Sequence, residues 1–487
     1  MSSPRSRFAR LAMLLTTALL GQAAAKTTLN FWWSQESAED KAFLDARIAE
    51  FEKANPDIDV RLQVLPADQY LNAVNLAFRG GNPPDVFRAG GFSAPRLEDY
   101  AALGWLLPLN NLRSNSLITR YPSNTIAEGT VIFGGKMYSV PYFRTGVNNM
   151  AFLYYNKKIF AEAGLSAPPR TWNEVRAYAR KITETGKGRY FGWAMQPKSP
   201  PSTYGGYLST VARRGFVGEP HPALDYTTGR YNAEHPGQVA AVEFLRKLNL
   251  EDKAVIPGWE SLDFNTLQDT FAQGRVGMML GFAAYAGTFS TRYNMKESDF
   301  GIAPMPTETG KYLTRLPKGP PVGWFAISAR TKAPKEAYKL FDFLNSEPFS
   351  LANAQERGHA PPLRLPTATL ARLNFTIPAQ IAVTNTEGVL RPDPRLRSPD
   401  WVKVLANFKP PQPQLYEIHA QYINGQISNY LDAAKKYDAA WNAELDRAIA
   451  AAQKDGAKVC RELLIFPNYT ATRDFGSRDY AALPKCK

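Results

Sequence analysis

The stretch Met137–Lys181 reads MYSVPYFRTGVNNMAFLYYNKKIFAEAGLSAPPRTWNEVRAYARK, and its local grammar sets the architecture. One strand reaches Val140-Pro141-Tyr142, and a second runs through Ala151-Phe152-Leu153-Tyr154-Tyr155. Asn156 is placed to cap a short helix that ends before Gly164. After the Pro168-Pro169 turn, Thr171-x-x-Glu174 forms a capping box that opens a longer helix. Strands that alternate with helices in this way predict an α/β chain whose sheets are covered by helices.

The same alternation extends in both directions. Thr28 to Trp33 reads as a first strand, and Ser37-x-x-Asp40 opens a helix with Leu44, Ile48 and Phe51 on its inner face. Asn55-Pro56 stops that helix, because proline cannot continue it. Ile58, Val60, Leu62 and Val64 then alternate with polar residues, the period of a half-buried strand. A helix carrying Leu71, Val74 and Phe78 is broken at Gly80-Gly81-Asn82-Pro83-Pro84, and Asp85-Val86-Phe87 begins another strand. Towards the C-terminus, Leu415–Leu431 and Ala439–Gln453 read as amphipathic helices.

The wording of these segments resembles the extracellular solute-binding proteins of ABC importers, in the family-1 branch that includes maltose- and sugar-binding proteins. The resemblance rests on VPY, LYYNKKIFAEAGL and PPRTWNEV in the opening stretch. It continues in FEKANPDIDV, FRGGNPPDVF, DTFAQGRVGMMLGF, DFGIAPMP and VGWFAISARTKAPKEAYKLFDFLNSEP, and so spans most of Thr28–Pro366. It implies a two-lobed periplasmic binding protein fold of type II, each lobe a β-sheet flanked by helices. Lobe 1 would comprise residues 26–146 and 325–362, and lobe 2 residues 147–324 and 363–487. The hinge would have crossings near Gly146, Trp324 and Pro362. The implied function is capture of a carbohydrate, without catalysis or cofactor, by a monomer that delivers it to the transmembrane subunits of an ABC permease.

The N-terminus independently points to export. Arg5, Arg7 and Arg10 precede the apolar run Leu11–Leu20, and Ala23-Ala24-Ala25 supplies small residues for cleavage before Lys26. We therefore expect residues 1–25 to be a signal peptide and the mature chain to be periplasmic. The remainder, about 460 residues, is long enough for two domains with separate cores. Cys460 and Cys486 are the two cysteines of the chain, and an oxidising compartment predicts a disulfide between them. The four histidines are scattered and no metal-ligand spacing is present, so no metal is expected.

The formal charge of +14, less the three leader arginines, becomes +11. The basic residues are dispersed, with the densest group at Arg391, Arg395 and Arg397, and no nucleic-acid module is legible. GTVIFGGK (Gly129–Lys136) has Met137 where a phosphate loop needs Ser or Thr, and a Gly134-Gly135 hairpin turn explains it. Neither a GxSxG elbow nor a locally spaced carboxylate pair marks a hydrolase.

Ligands of open α/β sheets bind at the carboxyl ends of strands. Trp32, Trp33, Ser34, Gln35 and Glu36 follow the first strand and combine aromatic faces with hydrogen-bonding groups, as a sugar requires. Strand alternation puts one tryptophan in and one out, and Trp33 is expected on the ligand side. Positions matching the family add Tyr142, Arg144, Phe282, Tyr285, Trp324 and Arg357. Gly323, before Trp324, is expected to let a ligand approach the backbone. A rival ligand is a phosphorylated polyol such as glycerol 3-phosphate, suggested by the basic balance and by Arg88, Arg144 and Arg357. A rival of another class is an exported carbohydrate-active enzyme.

Overall fold

The computed structural model of the chain describes residues 26–35, 40–90, 97–121, 126, 131–142, 151–196, 223–282, 285–310, 315–318, 323–357, 359, 361–366, 368–369, 387–390, 392–398, 400–470, 473, 475, 477–483 and 486. The leader, Ser37, the Gly146 crossing and Arg391 lie outside the described residues.

Two four-stranded sheets organise the molecule. Strands β1 (Thr27–Gln35), β2 (Ile58–Pro66) and β3 (Val86–Arg88) come early in the chain. Strands β4 (Ala151–Asn156), β5 (Phe191–Ala194), β6 (Val276–Phe282) and β7 (Phe300–Ala303) follow, and β8 (Phe325–Ile327) comes after them. The first sheet has the order β8-β3-β1-β2, with β1 parallel to both neighbours and β8 antiparallel to β3. The second has the order β7-β4-β6-β5, in which β4 is antiparallel to β6 and β7. The first sheet thus borrows its edge strand from far downstream, a crossover that sequence pattern alone does not reveal.

Local chemistry accounts for the elements. Helix α1 (Asp40–Ala54) buries Phe43, Leu44, Ile48 and Phe51 against the first sheet. Asn156 accepts a hydrogen bond from the Ile159 N–H (3.1 Å) and caps the helix Lys157–Glu162. Thr171 and Glu174 close the reciprocal capping box of helix α2 (Trp172–Gly186). Gly134 and Gly135 both have positive φ, and they turn the hairpin that pairs Ile132 with Met137. Val140-Pro141-Tyr142 is an extended segment joined by a bridge between Pro141 and Gly323.

Among the described residues the buried side chains form three sets: one on each face of the first sheet, the smaller with Tyr70, Val74, Phe78 and Phe87, and one around the second sheet. Leu29, Phe31, Val86, Phe325 and Ile327 lie in one core with Phe341 and Phe349. Leu153, Tyr154, Trp193, Met278 and Met279 lie in another, which continues into the C-terminal helices through Trp401, Ile418 and Trp441. The C-terminal helices differ from their sequence pattern. The first spans Leu415–Ile423 and stops at Asn424-Gly425, where Gly425 takes a positive φ. The second, Tyr430–Lys454, begins earlier than the apolar period suggests because Asn429 caps it through the Asp432 N–H. Among the described residues no helix is long and apolar enough to cross a membrane. The basic segment around Arg395 is tied down locally: Arg395 grips the Asp393 carboxylate and Glu98, and Arg397 donates to the carbonyls of Glu462 and Ile465.

Cys460 and Cys486 form the expected disulfide, with Cα atoms 5.7 Å apart and a sequence separation of 26. A loop of that length corresponds to about 3 kcal/mol in the chain-entropy description. Reduction should therefore loosen the C-terminal tail by that amount, read as earlier proteolysis of the tail at constant denaturant. Two alkylatable thiols in the unreduced protein would contradict the pairing.

A second consequence concerns acid. His419 is buried, with Nε2 at 3.1 Å from both the Gln238 amide nitrogen and the Tyr430 hydroxyl. Burial pushes its imidazole down to about 3. An unfolded histidine takes up its proton near pH 6.5, so the contribution of His419 is intact above that pH and declines as pH falls towards 3. Asp438 acts in the opposite sense: desolvation raises its carboxyl to about 6, so its protonation favours the fold as pH drops below that value. The difference in unfolding free energy between the native protein and His419→Gln cancels the Asp438 effect. It should shrink by about 2 kcal/mol between pH 7 and pH 5. A pH-independent difference would contradict this account.

Candidate functional site

The carboxyl ends of β1 and β3, together with the residue entering β8, bring the candidate residues into one cluster. Trp33 ends the buried face Leu29-Phe31-Trp33 of β1. Arg88 closes β3, and Trp324 is held beside it because the Ala89 N–H donates to the Trp324 carbonyl (2.6 Å). Arg88 is fully buried; its guanidinium donates to the carbonyls of Ser34 (3.1 Å) and Gly90 (3.2 Å). It also lies over the Trp324 ring at 4.3 Å and the Trp33 ring at 5.4 Å, a cation–π arrangement on two faces.

Tyr142 stacks on Trp324, with centroids 5.2 Å apart and planes 12° from parallel. Its hydroxyl accepts from Arg357 Nη1 at 3.3 Å. Arg357 ends helix α5, once the helices Tyr285–Thr291 (α3), Pro334–Leu344 (α4) and Glu347–Arg357 (α5) are numbered along the chain. Its other terminal nitrogen, Nη2, donates to Asp40 Oδ1 in a buried ion pair. Asp40 Oδ2 accepts from the Trp33 indole N–H at 3.1 Å. A continuous chain therefore links Trp33, Asp40, Arg357, Tyr142, Trp324 and Arg88 across β1, α1, α5 and the segment before β8. His359 stands at its edge, with its ring 6.3 Å from Tyr142. Desolvation, reinforced by the positive charges of Arg357 and Arg88, holds its imidazole well below the ordinary histidine range.

Several expected positions require correction. Strand alternation does separate the tryptophans, but Trp33 is the buried one and Trp32 the half-buried one. The cause is the two-residue period of β1: Trp33 shares a face with Leu29 and Phe31, and Trp32 shares the other with Thr28 and Asn30. Trp33 thus supports the cluster from beneath. Tyr285 is enclosed in the second core against Tyr154 and Phe289. It fills the space that the missing side chain of Gly281 leaves, since a Cβ there would fall 2.5 Å from its ring. Gly323 also serves packing: a Cβ there would lie 2.4 Å from the Ser139 side chain, so the close approach is by Ser139 and not by a ligand.

Ser34 is buried and contributes its carbonyl to Arg88, while its hydroxyl has no hydrogen-bond partner among the described residues. Gln35 ends β1 and Phe282 ends β6, where it pairs with Ala151. Glu36 and Arg144 lie outside the described residues. Sequence reading missed two members, Asp40 and His359. Asp40 reads as a helix-opening acid, and only its partners disclose that it is a buried counter-ion. His359, two residues after Arg357 in ERGHAPP, carried a signal in that proximity. Among the described residues no group of His, Cys, Asp and Glu could hold a metal ion.

Comparison with known proteins accords with this architecture. The sequence profile of the bacterial extracellular solute-binding proteins matches residues 34–348. The sn-glycerol-3-phosphate-binding periplasmic protein UgpB of Salmonella typhimurium is 26% identical over 373 residues, which cover 73% of this chain and 78% of that protein. An ABC transporter solute-binding protein from Thermotoga lettingae, solved with α-D-tagatose, is similar with a TM-score of 0.63 and 21% identity. That match covers 86% of this chain and 100% of the other. Maltose-bound T. maritima MalE3 gives a TM-score of 0.64 at 20% identity, over 86% of this chain and 99% of its own. The fold is that of the two-lobed periplasmic binding proteins.

Proposed function

This chain belongs to the bacterial extracellular solute-binding protein family, and from that premise we propose that it captures a neutral carbohydrate between two lobes for an ABC importer. The observation that carries the reading is the aromatic and guanidinium cluster at the carboxyl edge of the first sheet, Tyr142 and Trp324 with Arg88 and Arg357. A pyranose offers an apolar face to rings and a rim of hydroxyls to charged donors. The tagatose and maltose of the two structural neighbours support a sugar as the ligand class.

Residues 26–146 and 325–362 form lobe 1 in this reading, and residues 147–324 and 363–487 form lobe 2. Each lobe holds part of the site, so ligand favours the closed arrangement and shifts the population towards it. The transmembrane permease subunits then recognise that shape. Residues 1–25 direct export and are removed near Ala25, leaving a periplasmic monomer that binds without turnover. Trp32, half-buried at the end of β1, is the candidate ring for contact with ligand, the Tyr142–Trp324 pair being buried and supporting it, and Gln35, Glu36, Arg144 and Phe282 remain candidates for the rim.

A second reading, binding of a phosphorylated polyol, is favoured by the two buried arginines and by the likeness to UgpB. Thermal-shift screening of the mature protein against sugars and sugar phosphates separates the two. Stabilisation by neutral sugars, which are recovered chemically unchanged, is the expected result. Stabilisation by phosphorylated polyols alone selects the second reading, and consumption of the sugar selects an enzyme.

A further inference from the structure

We infer that Asp40 is a positioning residue that sets the charge preference of the site, holding Arg357 as a compensated hydrogen-bond donor suited to an uncharged ligand. The inference rests on the proposed binding function, but it makes a separate claim about which ligands the site rejects.

Asp40 is fully buried at the start of α1, and each carboxylate oxygen has a donor from a different element. Oδ1 receives Arg357 Nη2 from α5, and Oδ2 receives the Trp33 indole N–H from β1. Stability alone does not explain such an arrangement, because a buried ion pair often contributes no more than apolar residues of the same volume. The pair is instead coupled to the candidate ligand platform. The second arm of Arg357 reaches the Tyr142 hydroxyl, and Tyr142 lies flat on Trp324, which Arg88 covers from its own side. Two guanidiniums therefore converge on one aromatic pair, and Asp40 supplies a carboxylate directly bonded to one of them. Burial first, and the charges of both arginines second, hold the nearby His359 imidazole well below the ordinary histidine range.

Removing the Asp40 charge leaves Arg357 uncompensated by it and raises the local positive charge by one. At an effective dielectric constant near 20, a unit charge about 6 Å from a bound anion changes its binding by roughly a hundredfold, and one about 12 Å away still by about tenfold. A neutral sugar gains nothing from that change and loses the fixed orientation of Arg357 and Tyr142. Asp40 therefore both aims the donors and disfavours an anionic ligand.

The test uses the mature chain and three probes: maltose, sn-glycerol 3-phosphate and inorganic phosphate. Asp40→Asn keeps the shape and can still accept one hydrogen bond. Its affinity for glycerol 3-phosphate relative to maltose should rise about tenfold or more, fall again with added salt, and return towards the native ratio in Asp40→Asn/Arg357→Gln. Inorganic phosphate should raise the melting temperature of ligand-free Asp40→Asn more than that of the native protein. An unchanged phosphate effect in folded Asp40→Asn overturns the inference whatever the natural ligand is. Native protein that prefers glycerol 3-phosphate to every neutral sugar also overturns it, and at the same time selects the second functional reading. Native binding of a neutral sugar with an unaltered ratio in Asp40→Asn overturns the inference alone. If Asp40→Asn does not fold, Asp40→Glu retains the charge and should keep the native ratio, whereas Arg357→Gln should weaken anion binding. A shifted ratio in Asp40→Glu, or anion binding undiminished in Arg357→Gln, contradicts the assignment.

Discussion

Trp324→Ala should lower the unfolding free energy of the ligand-free protein by about 3–5 kcal/mol, the range for removing a large aromatic side chain from a packed site. Trp324 is only 5% exposed. Its indole supports Tyr142 on one side and Arg88 on another, and it stands 6.4 Å from the Trp33 ring. Alanine would leave a cavity bounded by three large side chains and would strip Arg88 of one of its two aromatic faces. Sugar affinity of the remaining folded protein should also fall, by roughly thirty-fold or more, if the platform is lost with the indole. Trp324→Phe, which keeps a stacking ring, should recover most of both quantities. Urea midpoints for the three proteins, combined with one titration each, test the expectation. Native stability in Trp324→Ala would show that the cluster is not cohesive.

Arg357→Ala should cost a comparable amount, about 3–5 kcal/mol, for a different physical reason. The substitution leaves the Asp40 carboxylate buried without the cation that it holds now. It also removes a donor to Tyr142 and the guanidinium that lies 5.3 Å over Phe43. Replacing both partners removes the uncompensated charge, so Asp40→Asn/Arg357→Met should be clearly more stable than Arg357→Ala. Such a rescue is non-additive in a double-mutant cycle, and its size reports the coupling. A loss below about 1 kcal/mol in Arg357→Ala would mean that solvent screens the pair effectively.

The contrast between these residues and their sequence signals shows what the chain discloses about itself. Short-range features were legible because their causes are local. Asn156 and the Thr171–Glu174 box cap their helices as their spacing predicts. The Gly134-Gly135 turn and the alternation of β2 follow from backbone freedom and side-chain period. The strand order β8-β3-β1-β2 depends on a pairing between Val86–Arg88 and Phe325–Ile327 that no local pattern encodes. The family resemblance implied only that residues 325–362 belong with the first lobe, and not which strands pair.

Much of the candidate site was legible as residue types, but not as roles. Arg88, Tyr142, Trp324 and Arg357 do converge, yet Arg357 is bonded to Asp40, a partner 317 positions away. Trp33 and Trp32 exchanged their expected faces, although Leu29 and Phe31 against Thr28 and Asn30 already mark the core face of β1 as the one that carries Trp33. Tyr285 was misplaced for a different reason. A tyrosine just beyond a strand end can face solvent or turn back into its own core, and the bare face of Gly281 provides the space for the second outcome.

Calorimetric titration of the mature protein with a neutral sugar selected by thermal shift, at low and at high salt, tests the central claim most directly. The account predicts saturable binding of one ligand per chain, with a dissociation constant that changes little with salt because no net ligand charge is neutralised. The sugar should be recovered intact from the cell. Absence of binding by any neutral carbohydrate, together with salt-sensitive binding of phosphorylated polyols, would contradict it.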